Sequence, residues 1–183
     1  MPKLKVPLFG QPSRNYCVPA CIKMILEFLR QDYGDAIPRL KISSIARIVK
    51  TQWDGTAPKN VERMNSYFEA KLCINFKAKA MNRFPDIEKE LNEGKPVIVW
   101  LNVAKQPEDT LWHAVVVNGF DPNNNSLSYN DPWNATEKNE EVGKFINKWG
   151  TEAKMVKLLI STNEQSYLGA WLKETQIEGE SNQ

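Results

Sequence analysis

The chain has 183 residues, of which 42% are hydrophobic, 10% aromatic and 25% charged, a composition typical of one globular domain. Lys and Arg number 24 against 22 Asp and Glu, and this near balance argues against a nucleic-acid partner. The longest apolar run, residues 96–101, is far shorter than the roughly 20 residues of a membrane-spanning helix, so no membrane insertion is expected.

The first residues after Met1 lack the apolar core of a secretory signal, which predicts a cytoplasmic protein. Secretion after removal of an upstream segment stays open as the alternative. The cysteines, at positions 17, 21 and 73, are too few and odd in number for a secreted disulfide framework.

The first third of the chain reads as helical after an extended start. Residues 3–9 are extended, and residues 10–15 are rich in turn formers. A helix then runs to Gly34, with Pro19 in its first turn. Its apolar face consists of residues at helical spacing, namely Cys21, Met24, Ile25, Phe28 and Leu29.

Two more helices are predicted on either side of a loop. Ser43 or Ser44 would cap a second helix that extends to Val49, and residues 53–58 form the loop. A third helix would turn four residues inward: Val61, Met64, Tyr67 and Phe68.

Strands dominate the rest of the sequence. Residues 73–80 alternate between apolar and polar types, and a short helix from Pro85 to about Glu93 leads into a buried strand at 96–103. Residues 113–119 and 126–131 are two strands around the dense turn signal of 121–125, and a last strand covers 155–160. Helices first and strands later predict an α+β fold, with a helical N-terminal part packed on an antiparallel sheet.

Residues 1–164 are expected to form one domain. Residues 165–183 are expected to be a C-terminal tail that is partly helical or disordered.

Cys17 is a candidate nucleophile because it lies where a turn meets an apolar helix. The unpaired N–H groups and positive dipole end of a helix start stabilise an anion, and a thiolate is the reactive form of cysteine. The alternative is a small buried residue at a helix start. Cys21, one turn later, faces the core and is expected to be an inert packing residue.

His113 is the chain's one histidine, so any chemistry that needs an imidazole depends on it. As a general base it would accept the Cys17 proton; the alternative is a hydrogen-bonded structural histidine. A turn centred on residues 122–124 places Asp131 opposite or nearly opposite His113 across the hairpin. The carboxylate could then orient the imidazole, although an Asp before a Pro is also a common turn residue.

Gln11 precedes Cys17 by six residues, in the turn that leads into the helix. Its side-chain amide and the Cys17 backbone N–H could together donate to the oxyanion of a tetrahedral intermediate. The alternative is an ordinary surface glutamine.

Four segments together resemble a known family: QPSRNYCVPAC, GKPVIVWL, WHAVVVNGFD and SLSYNDPW. They are similar to the bacteriocin-processing, double-glycine leader peptidase branch of the papain-like cysteine peptidases, closest to its stand-alone soluble members. The similarity covers roughly residues 3–162. It implies a papain-like fold and a hydrolase, a thiol protease that acts on a peptide or protein substrate with no cofactor and no metal.

The resemblance also implies roles for individual residues. Cys17 would be the nucleophile, His113 the base, Asp131 the residue that orients it, and Gln11 part of the oxyanion hole. Asp54-Gly55-Thr56 matches a Gly-Thr loop that borders the family's substrate cleft.

Two features depart from the family pattern. Val18 stands where the family often has Gly after the nucleophile, and residues 1–183 contain no ATP-driven transporter segment of the kind that accompanies the processing peptidases.

Trp112 and Trp133, beside the catalytic candidates, are candidate subsite residues whose alternative is ordinary packing.

Three other functions stay open from the residues alone. An amine in place of water would make the protein an acyltransferase or deamidase. The fold could also bind peptides without cutting them. A zinc site built from the three cysteines and His113 is a further reading, but their spacing matches no compact zinc motif.

Overall fold

The computed structural model describes residues 3–68, 72–106 and 108–160. Its N-terminal part contains helix α1 (Cys17–Tyr33), helix α2 (Ile42–Ile48) and two 3₁₀ segments, Gly34–Ala36 and Pro58–Tyr67. Gly34 ends α1 with a positive φ of 55°, and its N–H donates to the Arg30 carbonyl. The predicted C-terminal tail lies outside the described residues.

The helical predictions are correct in place and wrong in some details. α2 begins at Ile42 after Lys41, so neither Ser43 nor Ser44 caps it. The third helix is a 3₁₀ segment that buries Val61 and Met64 but leaves Tyr67 48% exposed, contrary to its expected inward position. Tyr67 is the last residue of the segment, and the chain then becomes extended at Phe68, which takes the buried position in the core.

The described strands form one antiparallel sheet of six. They are β1 (Ile74–Lys79), β2 (Val97–Asn102), β3 (Trp112–Asp121), β4 (Ser126–Asp131), β5 (Thr136–Glu141) and β6 (Met155–Ile160), in the spatial order β1-β6-β2-β3-β4-β5. Helix α3 (Phe84–Asn92) precedes β2, and helix α4 (Val142–Trp149) follows β5. Helices packed on an antiparallel sheet confirm the predicted fold class.

Apolar side chains cover both faces of the central strands. Ile98 and Val116 belong to one core cluster with α1, whereas Val99 and Val115 belong to a second cluster with α3 and α4. Neighbouring residues of a strand point to opposite faces, so a strand buried on both sides is apolar throughout. This explains the uninterrupted apolar run in β2.

The sequence reading assigned no element to residues 136–149, where the structure has β5 and α4. β5 is an edge strand with sequence TEKNEE, and its residues are almost all exposed. Charged residues are common on edge strands, and they leave no alternating pattern. α4 did carry a signal, because Val142, Phe145 and Trp149 are buried at helical spacing.

The β3–β4 hairpin positions the later site residues. Its register shifts by one residue at a bulge between Val117 and Gly119, and Val116 pairs with Asn130. Asp131 therefore lies one step beyond the last pair and is diagonal to His113, not directly opposite. Diagonal neighbours on one face are still within reach of each other's side chains.

None of the helices in the described ranges has the length and apolarity that crossing a bilayer requires.

Candidate active site

Cys17 is the first residue of α1, at the end of the loop formed by residues 10–16. Two contacts hold this loop: the Gln11 N–H donates to the Pro132 carbonyl at 2.8 Å, and the Asn15 amide donates to the Gln52 carbonyl at 2.7 Å. Cys17 is only 7% exposed, yet it lines a cleft. The thiol thus lies at the positive end of the helix and within reach of a ligand in the cleft.

His113 lies near the start of β3 and is buried beside Asp131. Its Nε2 and Asp131 Oδ1 are 2.6 Å apart. Cys17 is the second neighbour of the ring, acting on it through hydrogen bonding and charge. Because Nε2 faces the carboxylate, Nδ1 is the ring nitrogen left for the thiol.

These neighbours favour the protonated imidazole. Burial by itself lowers the pKa of His113, but the hydrogen bonds to Asp131 and Cys17 outweigh it and raise the pKa to about 9. His113 can therefore carry a proton at neutral pH, which suits a group that protonates a leaving amine.

Asp131 is a buried carboxylate with both oxygens occupied. Oδ1 accepts from His113 and from the Trp133 N–H at 2.9 Å, and Oδ2 accepts from Lys138 Nζ at 2.6 Å. Burial raises the pKa of Asp131, but the hydrogen bonds from His113, Lys138 and Trp133 hold it well below the ordinary value of 3.8. The carboxylate thus stays ionised and directed at the imidazole.

The cleft beside these residues has a volume of about 830 Å³. All the predicted substrate-binding residues line it: Asp54, Gly55, Thr56, Trp112 and Trp133. Trp133 also packs edge-on against the His113 ring, with centroids 6.0 Å apart.

A tight turn forms one side of the cleft. Gln52 and Gly55 exchange backbone hydrogen bonds of 2.7 and 3.1 Å, and Trp53 at the tip is 90% exposed. Gly55 has a φ of 115°, which a residue with a Cβ rarely adopts. Thr56 is buried behind the turn, where its hydroxyl lies 2.8 Å from that of Thr51.

Gln11 is close to Cys17 in the chain but directs its amide elsewhere. Its Nε2 donates to the carbonyls of Ser13 and Arg14, at 2.8 and 3.2 Å, and Gln11 does not line the cleft. In this arrangement the amide stabilises the loop before Cys17. Its role as an oxyanion donor stays a prediction, and it requires one of these bonds to open.

Sequence reasoning missed two lysines of the cleft. Lys138 belongs to β5, which was not predicted, and Lys154 lies over the Trp112 ring at 4.4 Å from its centroid. Cys21 lies where expected, fully buried, and burial raises the pKa of its thiol. Within residues 3–68, 72–106 and 108–160, no three His, Cys, Asp or Glu side chains are grouped to hold a metal ion.

The cleft thus brings together a thiol at a helix start, an imidazole on a strand and a carboxylate hydrogen-bonded to that imidazole. The model of the Peptidase_C39 like family matches residues 3–156, and the chain belongs to this family. The comparison with curated proteins found no match.

Solved structures share the fold. A protein described as a C39-like peptidase from Bacillus anthracis superposes with a TM-score of 0.68 at 14% identity, covering 88% of this chain and 99% of that one. The peptidase domain of Streptococcus ComA, a bi-functional ABC transporter involved in a quorum-sensing pathway, gives 0.57 at 20% identity over 85% and 98%. A double-glycine-motif protease from an AMS/PCAT transporter, in complex with the leader peptide, gives 0.59 at 19% identity over 86% and 91%.

Proposed function

We propose that this protein hydrolyses peptide or isopeptide bonds through a Cys17–His113–Asp131 triad and a thioester acyl-enzyme. Membership of a cysteine peptidase family supports the reaction class. The observation that carries the proposal is the His113–Asp131 contact of 2.6 Å, with Cys17 as the other neighbour of the same ring, at the wall of an open cleft.

Each residue has one task in the proposed reaction. The Cys17 thiolate attacks the carbonyl carbon, and the carbonyl oxygen becomes an oxyanion that the Cys17 backbone N–H stabilises. His113 gives its proton to the leaving amine as the C–N bond breaks, and a thioester remains. His113 then takes a proton from water, whose oxygen attacks the thioester and releases the acid and the thiolate.

Asp131 does not exchange a proton in this scheme. It holds the imidazole in one orientation and stabilises its charged form, as the low pKa of the carboxyl supports. We assign substrate contact to the cleft residues Asp54, Gly55, Thr56, Trp112 and Trp133. The structurally similar double-glycine-motif protease, which was solved in complex with the leader peptide, supports a peptide as the ligand.

Digestion of a peptide library tests this function, with the wild type compared with Cys17→Ala. We expect cleavage by the wild type and none by the variant, while Cys21→Ala, which changes a buried cysteine one turn away, retains cleavage. An added amine separates hydrolysis from transfer, because a transferase would yield the amide of the added amine. Equal product profiles for wild type and Cys17→Ala would show that the proposed nucleophile is wrong.

A further inference from the structure

Lys138 contacts the one oxygen of Asp131 that His113 leaves free. The carboxylate side chain is 6% exposed, whereas that of Lys138 is 50% exposed and reaches in from the cleft. The ammonium and His113 thus hold opposite oxygens of the same buried group, each at 2.6 Å.

Other charged groups on β5 and its neighbours have different partners. Glu137 pairs with Lys3, and Glu140 pairs with Lys148. Among the described residues, Asp131 is the one acidic partner of Lys138. The lysine therefore does not belong to a general surface network; its charge is directed at Asp131.

We propose that Lys138 is a positioning residue of this site: it anchors Asp131 Oδ2 so that Oδ1 stays directed at His113, and its charge limits how strongly the carboxylate holds the imidazolium. This inference rests on the proposed function. Without the anchor, the carboxylate could rotate about its Cβ–Cγ bond and leave a buried oxygen unpaired, which is costly.

The charge has a separate effect. A cation next to Asp131 offsets part of the carboxylate's attraction for the His113 proton. Removal of Lys138 leaves the full negative charge acting on the ring, so the proton should bind more tightly. The two effects have different signatures, one on the rate and one on the titration of the imidazole.

Few other groups near the pair can titrate. Cys21 from α1 and Tyr129 from β4 both sense the Asp131 charge, and burial raises the pKa of each well above neutral. The remaining charged groups that line the cleft are Arg14, Lys50, Asp54 and Lys154. Asp131, in direct contact with His113, stays ionised throughout the neutral range, so its charge acts on the ring over the whole titration.

NMR titration tests the charge effect directly, because His113 is the chain's one histidine and its ring C–H signal needs no assignment. The protein is used without a histidine tag. We expect the pKa of His113 to be higher in Lys138→Gln than in the wild type by about half to one pH unit. Lys138→Arg, which retains the charge, should titrate like the wild type.

Lys148→Gln is the matched control. It removes the same charge from a lysine that is 41% exposed, pairs with Glu140 and does not line the cleft. Its titration should equal that of the wild type. Peptide cleavage adds the second readout: kcat should fall about tenfold in Lys138→Gln with KM within about twofold, and Lys138→Arg should recover most of the rate.

Unchanged His113 titration in Lys138→Gln would overturn the proposal, as would a loss of kcat that Lys138→Arg does not recover. Failure of the proposed function has a different signature. In that case the His113 titration would still respond to Lys138, but wild type and Cys17→Ala would give equal digestion profiles.

Discussion

On the strand side of the cleft, His113, Asp131 and Lys138 stand on three consecutive strands, β3, β4 and β5, and each is held by a partner at 2.6 Å. On the loop side, the Gln52–Gly55 turn presents a Trp53 side chain that is 90% exposed. The strand side has the fixed geometry that acid–base chemistry needs. The loop side has the exposed type of surface that commonly determines which ligand binds. We therefore expect substitutions on the strand side to lower kcat and those on the loop side to raise KM.

The sharpest test of this comparison changes one carboxylate on each side. Asp131→Asn should lower kcat by a factor on the order of 10²–10⁴, because an amide cannot stabilise the imidazolium in the same way. Asp54→Asn makes the same chemical change on the loop side and should alter kcat by less than about threefold. Equal losses in the two variants would contradict the division between the sides.

The pH dependence of the rate probes the strand side alone. In the proposed mechanism cleavage requires a proton on His113, whose pKa is raised to about 9, so the rate should fall about tenfold per pH unit above pH 9. In Asp131→Asn the decline should begin at lower pH, since the ring loses its charged partner. A pH–rate profile of kcat for both proteins checks this, and a decline at the same pH in both would show that another group controls it.

A pair of tryptophans sharpens the comparison further. Trp53→Ala on the loop side should raise KM roughly three- to tenfold and leave kcat unchanged, because it removes contact area for the substrate. Its high exposure predicts a free energy of unfolding within about 0.5 kcal/mol of the wild type. Trp133→Ala, next to the His113 ring, should instead lower kcat.

Protein stability should show the smallest effect. The raised pKa of His113 contributes stability below pH 6.5 that is lost as the pH rises towards 9, and the lowered pKa of Asp131 contributes stability above pH 3.8 that is lost below it. The melting temperature should therefore be highest between pH 3.8 and pH 6.5, where both contributions are present. It should fall by a few °C towards pH 9. His113→Gln should remove the alkaline part of this decline; a decline of the same size in that variant would assign it to other groups.

The strands with an apolar or alternating pattern were predictable because burial leaves a direct trace in the sequence. β2 and β3 were predicted correctly from their apolar runs, and β1 was predicted from its alternation of apolar and polar residues. β5 did not, because an exposed edge strand has no residue pattern that separates it from a polar loop. The position of Tyr67 was misjudged because the segment ends there and the backbone becomes extended at Phe68, a change that residue spacing does not record.

The candidate site divides in the same way. Cys17, His113 and Asp131 were selected from chemistry and hairpin spacing, and the structure brings them together, although the bulge makes the last two diagonal neighbours. Lys138 could not be selected, because its position beside Asp131 depends on β5, a strand that the sequence pattern does not indicate. The direction of the Gln11 amide depends on two carbonyls of its own loop, which spacing does not reveal.

By itself, the sequence determined the class of fold and the apolar strands. It also determined a thiol at a helix start and the lone histidine that could accept its proton. These features depend on residue type and short-range periodicity, which a linear pattern records completely. Only the tertiary structure decided the register of the β3–β4 hairpin, the contacts of Asp131 and which residues line each side of the cleft. Such features depend on contacts between residues distant in the chain, where a shift of one residue changes which side chains meet.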